Sequence, residues 1–507
     1  MDKRKGIINV AVSIFFRFFM LASLVVRRFL ILYIGNDVNG LDSLYTSLIG
    51  FLSVAELGVG TAITFCMYKP VVEQDEAKIS ALYQLFTKSY RVIGLIVMAA
   101  GLCLIPFLPY FAKDYSDLNV NFGLTFFLML ASIVLSYVFS AKTSLINAYK
   151  NNYVTTAISS IGMIVQYILQ IIVIIVTRSF VAYLICRIVA MLLQWGLTEI
   201  YSRKHYKNIV CHAKETVDGE TKKEIVNNVK ALFMHKIGAI LVNSADSIII
   251  SAFIGVVVLG KYSNYSTIAV YMSSMITLFF TPLTSVIGHT FVSERENTEQ
   301  YFRKLYFLNF VLGVVFFLGY YAVIDDVVAI LFGADLILSK SVSFVVTVNY
   351  FVQFMRQATL MFRDATGTFY NDRWKPLFEG ALNVVLSIAF VKILNNIGGD
   401  ELGVVGVIIA TIITNLTICH AVEPYVLYKH AFQKSVKRHL IQNYVYIAIF
   451  VFVLLLSSVL MRSYDDKWIE FLVNGTISVG ISVVVIAFAA VSNGSIRSWL
   501  KNKLKKQ

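Results

Sequence analysis

The sequence predicts an all-α, polytopic membrane protein of about fourteen transmembrane helices. Three observations carry that reading. Of 507 residues, 58% are hydrophobic and 15% charged, against about 25% charged in a typical soluble domain. The apolar residues fall in runs of about 20 or more, long enough to cross a bilayer. The loops between the runs differ sharply in Lys and Arg from one side to the other.

Lipid offers backbone groups no hydrogen-bond partner, so only helices and closed barrels cross it. The runs do not alternate apolar and polar residues, which excludes a barrel, and there are only six prolines to interrupt helices. In order, the spans are 7–34, 44–66, 91–111, 120–141, 154–176, 180–200, 230–254, 264–288, 304–324, 342–362, 376–395, 403–423, 443–461 and 469–491. Lys3, Arg4 and Lys5 look like the start of a secretory leader. The stretch that follows is too long for one and carries Arg17, Arg27 and Arg28, which argues against cleavage.

The charges orient the spans. One set of loops holds 31 Lys and Arg, and the other holds 6: Lys113, Arg178, Lys261, Lys340, Arg462 and Lys467. The basic set is cytoplasmic by the positive-inside rule, and an even number of spans puts both termini there. This bias and anionic membrane lipids account for the net charge of +14, so no nucleic-acid partner is expected. The longest loop, about 201–229, leaves no room for a soluble catalytic domain. A catalytic site is therefore not expected.

Several chemistries are excluded by spacing. The five cysteines contain no C-x-x-C and the seven histidines no metal-binding pair, so no metal site is expected. Gly255-x-x-x-x-Gly260-Lys261 begins like a phosphate-binding loop, but Tyr262 stands where a Mg²⁺-binding hydroxyl is needed. The segment also falls on the outer side. With no nucleotide site and no cofactor, turnover would draw on H⁺, Na⁺ or the membrane potential, or on removal of product.

The chain repeats itself. A shift of 220 residues lays Ile34–Tyr45 on Ile254–Tyr265 with six of twelve positions identical, and Ser53, Thr61 and Thr64 then meet Ser273, Thr281 and Thr284. Six spans separate the copies, so they share one orientation.

Charges inside spans mark candidate sites, because each costs at least about 2.5–3.5 kcal/mol at the bilayer centre. Arg17 lies about 25 Å and Arg27 about 10 Å from the outer end of the first helix, at 1.5 Å per residue. Lys236 and Asp246 occupy nearly the same levels on the repeat-related helix. Glu56 lies about 18 Å below the outer end of the second, within reach of Arg17. Arg356 sits in the inner half of its span. These six are the primary cavity candidates, with Arg187, Arg363, Glu379 and Asn383 secondary. Lining a cavity and pairing structurally remain alternatives for the cations. Glu56 is either a partner of Arg17 or a proton-coupling group. Glu379, Asn383 and Ser387 share a helix face at i, i+4, i+8, which suits a cavity or interhelical hydrogen bonds. Lys392 fits snorkelling better, and Arg28 fits snorkelling or helix packing. The excess of cations points to an anionic substrate such as a phosphate or diphosphate.

Several segments together resemble a family. Glu56-Leu57-Gly58-Val59-Gly60-Thr61-Ala62-Ile63, Tyr68-Lys69-Pro70 and Tyr90-Arg91 are similar to the first half of bacterial polysaccharide-unit flippases, within the multidrug/oligosaccharidyl-lipid/polysaccharide exporter superfamily. His235-Lys236-Ile237-Gly238, Asn243-Ser244-Ala245-Asp246 and Tyr262-Ser263-Asn264-Tyr265 resemble the start of the second half. Phe362-Arg363-Asp364-Ala365-Thr366-Gly367, Asp372-Arg373, Pro376-Leu377, Glu379, Asn383 and Glu423-Pro424 continue it, over roughly residues 6 to 435. Ala410 departs from the pattern, which has Gly before Thr411, and so raises a question about helix packing there. The resemblance implies a lobe over 1–215 (helices one to six), a second over 216–428 (helices seven to twelve), two more helices with a basic tail over 429–507, a cationic central cleft, alternating access and the bacterial cytoplasmic membrane. It also implies an oligosaccharide on undecaprenyl diphosphate as substrate, with membrane lipids and polysaccharide polymerase machinery as partners. A drug or cation antiporter of the same superfamily and a flippase for the peptidoglycan lipid precursor are the alternatives. A membrane glycosyltransferase would call for a sizeable external loop or an acid pair with a base.

Overall fold

Apolar runs become helices in lipid because only the i to i+4 ladder satisfies their backbone, and the computed structural model of the protein is helical throughout, with no strand among the described residues. It describes residues 19–56, 59–113, 118, 120–211, 244–280 and 283–492, with short pieces between 217 and 229. Short turns aside, the helices are α1 (Ala22–Tyr33), α2 (Asn36–Leu52), α3 (Val59–Glu73), α4 (Glu76–Leu104), α5 (Phe122–Ala148), α6 (Asn152–Thr177) and α7 (Phe180–His205). They continue as α8 (Ser244–Phe253), α9 (Val256–Phe280), α10 (Leu283–Ser293), α11 (Thr298–Leu331), α12 (Lys340–Met355) and α13 (Gln357–Ala365). The last four are α14 (Lys375–Thr414), α15 (His420–Leu427), α16 (Lys437–Leu460) and α17 (Lys467–Ser492).

The protein is an all-α, multi-pass membrane protein. Eight continuous helical stretches among the described residues are long and apolar enough to cross a bilayer. One of them, Tyr370–Phe432, bends at Gly398 and Gly399, the latter at φ +77°, and so holds two expected spans. Other expected spans are interrupted. The second is α2, a 3-10 turn at Ser53–Glu56, then α3. The tenth breaks between Met355 and Gln357, while the eighth falls on α9 and α10, with residues 281–282 outside the described residues. Helix starts carry caps: Asp75 accepts from the Lys78 N–H, Asn121 from Leu124, and Ser179 from Ala182. The Asp75 cap explains why α4 begins well before its apolar run. Hydropathy locates the part of a helix inside lipid, not its capped end.

Two compact units divide the chain, Met1–Gly260 and Lys261–Gln507. In the first, α5 packs on α4 and α7, α6 on α7, α1 on α6, and α3 on α4 and α5. In the second, α11 packs on α12 and α17, and α12 on α14. The second core is dense in aromatic rings. Phe351 stacks on Phe450 at 3.6 Å between centroids and Phe310 on Tyr446 at 4.1 Å. A Cβ at Gly313 would stand 2.9 Å from the Phe351 ring, so that glycine admits the ring.

The repeat is visible in the backbone. Gly35 and Gly255 both take positive φ, +141° and +149°. Each donates its N–H to a carbonyl five residues back, Leu30 and Ile250, before α2 and α9 begin. The next repeated glycines bring these helices into backbone contact. A Cβ on Gly40 would lie 1.9 Å from the Val256 carbonyl oxygen, and one on Gly260 2.4 Å from that of Asn36. The two contacts are related by the same 220-residue offset. Small residues allow such approach between membrane helices. Asn36 and Asn39 close the crossing with side-chain bonds to the Val257 and Gly260 carbonyls at 2.9 and 3.0 Å. The glycines that looked like a phosphate loop are thus consumed by packing, and Lys261 donates to the Asp335 carbonyl at 2.9 Å.

Candidate functional site

The second unit gathers four charges where helices are broken. Arg356 lies between α12 and α13, at the interruption itself. Lys375 opens α14 with Pro376 behind it, a position where proline's missing N–H is harmless. One turn on is Glu379. Glu423 sits in α15, which is flanked by π-helical turns at Asn415–Cys419 and Tyr428–Phe432. Such turns accompany functional sites in helices. Here the first holds Asn415, whose side-chain oxygen accepts from Arg356 Nη1 at 2.7 Å.

The charges compensate one another. Arg356 grips Glu423 through Nε and Nη2, at 3.1 and 2.6 Å. Lys375 Nζ lies 2.5 Å from Glu423 and 3.0 Å from Glu379, and Arg356 is 3.5 Å from Glu379. Side-chain exposure is 16% for Arg356, 4% for Lys375, 6% for Glu379 and 1% for Glu423. Two cations and two carboxylates sum to zero, as burial demands. Arg356 retains the largest exposure, so it is the member best placed to exchange a carboxylate for another oxyanion.

The neighbouring polar residues are also engaged. Asn383, fully buried, donates to the Thr411 hydroxyl at 2.8 Å. The tight approach near Thr411 is made by Gly406, where a Cβ would meet the Phe390 carbonyl oxygen at 2.7 Å, and Ala410 is fully buried. Arg363 reaches Asp364 at 3.0 Å and Asp372 at 3.1 Å. Burial alone would lower its pKa, but the two carboxylates outweigh it and hold the value above the ordinary one.

The first unit holds a separate group of candidates. Arg187 donates to Asp42 at 2.9 Å and to the Tyr183 hydroxyl at 3.1 Å, with its guanidinium 5.3 Å from that ring's centre. Arg27, half-buried, lies within electrostatic range of the same Tyr183. Glu56 stands on the 3-10 turn that breaks the second span and accepts from the Tyr90 hydroxyl at 2.8 Å. Asp246 is 8% exposed in α8. Arg17 and Lys236 lie outside the described residues. Arg28 and Lys392 are exposed. The structure therefore joins Arg356 with Glu379, and Arg187 with the neighbourhood of Arg27. The sequence reading did not single out Lys375, Glu423, Asp42 and Tyr183 as their companions. Lys375 and Glu379 at i, i+4 were a usable signal; nothing in the sequence pairs Arg356 with a carboxylate 67 positions away.

Broken membrane helices, glycines repeated at one offset and charges held at the breaks characterise the fold among the described residues. No protein family's sequence profile and no curated protein sequence matches the chain. Solved structures do. The chain is similar to the lipid II flippase MurJ in an inward closed conformation, with 12% identity and a TM-score of 0.64, over 96% of this chain and 99% of that one. It is also similar to an inward-facing multidrug resistance MATE family transporter of the MOP superfamily, at 14% identity and a TM-score of 0.64, over 83% and 98%. A third is a MOP superfamily transporter from Pyrococcus furiosus, described as having a binding pocket of reverse polarity, at 14%, 0.54, 85% and 95%. At these identities the shared property is the fold.

Proposed function

We propose that this protein is a flippase that moves a diphosphate-linked oligosaccharide lipid from the inner to the outer leaflet by alternating access. The observation that carries the proposal is the end-to-end likeness to MurJ, which spans 96% of this chain, C-terminal helices included, where the MATE family structure spans 83%. The in-membrane charge supports an anionic headgroup. In the sequence Arg17, Arg27 and Lys236 stand against Glu56 and Asp246, and Arg356 is the most exposed member of a group of two cations and two carboxylates. Pocket polarity varies within this fold, as the Pyrococcus furiosus transporter illustrates, so a cation-rich cleft suits a different cargo from a cationic drug. The cations need only offset the desolvation of the diphosphate. Sugars would stay in a wet cavity and the polyprenyl tail in lipid. On this reading the lobes pivot about the repeat, both termini are cytoplasmic, a polysaccharide polymerase receives the product, and an ion gradient or the membrane potential drives turnover.

The likeness to a lipid II flippase favours a second reading, in which the same headgroup carries the peptidoglycan precursor. Gene deletion distinguishes the readings. Loss of surface polysaccharide with accumulation of lipid-linked units facing the cytoplasm supports the first. Lysis with intact polysaccharide output selects the second. Unchanged envelopes with new sensitivity to cationic drugs would overturn both in favour of an antiporter.

A further inference from the structure

The first unit carries a groove of about 1050 Å³ between α4, α5 and α7 that the transport reading does not use. One end of it is cationic. Lys88 and Arg91 come from α4, Lys142 from α5, and Arg203 from α7, around Glu199, the one carboxylate among the described lining residues. Glu199 is already shared, pairing with Lys142 and accepting from Arg203 Nε at 2.5 Å. Among the described residues no carboxylate pairs with Lys88 or Arg91, and both are exposed. The groove therefore has an uncompensated positive mouth.

The rest of the groove is apolar. Leu95, Met98, Val134 and Val138 line it above a floor of buried Tyr90 and Tyr137. Leu95 is 71% and Val138 51% exposed, so the trough opens sideways instead of closing over. Gly94 keeps it deep: a Cβ there would find only an ordinary contact, 3.5 Å from Tyr137. Trp195 lies one helical turn from Glu199, between the charged and apolar ends, at the level indole rings prefer in a membrane interface.

Dimensions select the occupant. From Lys88 to Met98 α4 rises about 15 Å, the hydrocarbon depth of a single leaflet. That matches an acyl chain of a membrane phospholipid and is short for a long polyprenyl chain. A zwitterionic headgroup would bring its own cation against this mouth, whereas a phosphate of net negative charge would not. Basic pockets between helices on the cytoplasmic side hold anionic headgroups in this way.

We propose that the groove is a binding site for one anionic phospholipid of the inner leaflet. Lys88 and Arg91 hold its phosphate, and an acyl chain lies along Leu95, Met98 and Val138. The site is distinct from any transported cargo, so it stands or falls separately from the flippase reading.

Native mass spectrometry of the full-length protein in mild detergent tests this, with phosphatidylglycerol, phosphatidylcholine and inorganic phosphate titrated separately. One phosphatidylglycerol should be retained in preference to phosphatidylcholine. The exposed double variant Lys88→Gln/Arg91→Gln should unfold at the wild-type temperature, yet lose roughly thirtyfold in phosphatidylglycerol affinity, about fivefold per basic residue. Phosphatidylcholine binding should not change. A Gly94→Leu variant, which fills the trough but leaves the cations, should also lose the lipid. Equal retention of both lipids, an unaffected double variant, or phosphate competing as well as the lipid would each overturn the proposal.

Discussion

A guanidinium inside a membrane protein must be met by a carboxylate or by water, and Arg356 is met by Glu423. Removing that carboxylate charge leaves two buried cations, Arg356 and Lys375, facing only Glu379. Breaking a buried pair in this way costs about 3–5 kcal/mol. We expect Glu423→Gln to lower the unfolding midpoint in detergent markedly, and Glu379→Gln to lower it less, because Arg356 keeps its two-point grip on Glu423. Equal midpoints for both variants and the wild type would mean that the network carries no stability. Depth along a span identified Arg356, and helical periodicity identified Glu379. Lys375 looked like an ordinary loop charge because it stands at a helix start, and Glu423 lies at the end of an apolar run. Partners supplied by other helices leave no trace in local spacing, which is why the sequence yielded half of this cluster. Glu56 illustrates the same limit: its reach toward Arg17 could be estimated, but the hydroxyl it accepts from, Tyr90, is 34 positions away.

Among the described residues, helices were legible wherever apolar residues ran on, and their interruptions were not; residues 7–18 and 230–243, in the first and seventh expected spans, lie outside the described residues. The second span reads as continuous over 44–66, yet it stops at Leu52 and resumes at Val59. A break inside lipid is tolerated when neighbouring protein satisfies the freed backbone, and that neighbour is tertiary. The repeated glycines are the opposite case. Gly35, Gly40, Gly255 and Gly260 stood out because they recur at a fixed offset, and each has a backbone reason to be glycine. The consequence is testable. Gly40→Val and Gly260→Val each push a branched side chain into a carbonyl oxygen of the facing helix, and backbone cannot yield as a flexible side chain can. Overpacking costs about 1–3 kcal/mol even where neighbours adjust, and more is expected here. Both variants should lose the monodisperse peak in size-exclusion chromatography. Gly196→Ala, in a helix with nothing within 4 Å of its new Cβ, should elute as wild type and gain slightly in stability, since alanine is the better helix former. Tolerance of valine at both crossing glycines would show that α2 and α9 do not meet through their backbones.

A chain that is 12% identical to MurJ can share its fold over nearly the whole length because few sequence properties are needed to specify that fold. They are the number and length of apolar runs, the charges that orient them, and small residues where helices cross. All three are readable, which is why the all-α, multi-pass architecture was available from the sequence while the cargo was not: cargo depends on a handful of side chains in a cavity. Orientation is the property of the entire molecule that rests most directly on one number, the excess of 31 basic residues over 6 between the two sets of loops. An excess of that size, spread over every loop of one set, leaves no single segment able to reverse the rest. Asp400 and Asp465 are exposed in loops of the poor set, and Glu73 and Lys204 are exposed at helix ends on the rich side. In a background without the five native cysteines, cysteines at Asp400 and Asp465 should react with a membrane-impermeant maleimide in intact cells. Cysteines at Glu73 and Lys204 should react only after permeabilisation. The reverse pattern would invert the molecule and put the cationic mouth of the α4, α5 and α7 groove in the outer leaflet. Mixed labelling along the chain would instead mean that a broken segment such as α2 and α3 returns to the side it came from, and the count of spans, not their orientation, would have to change.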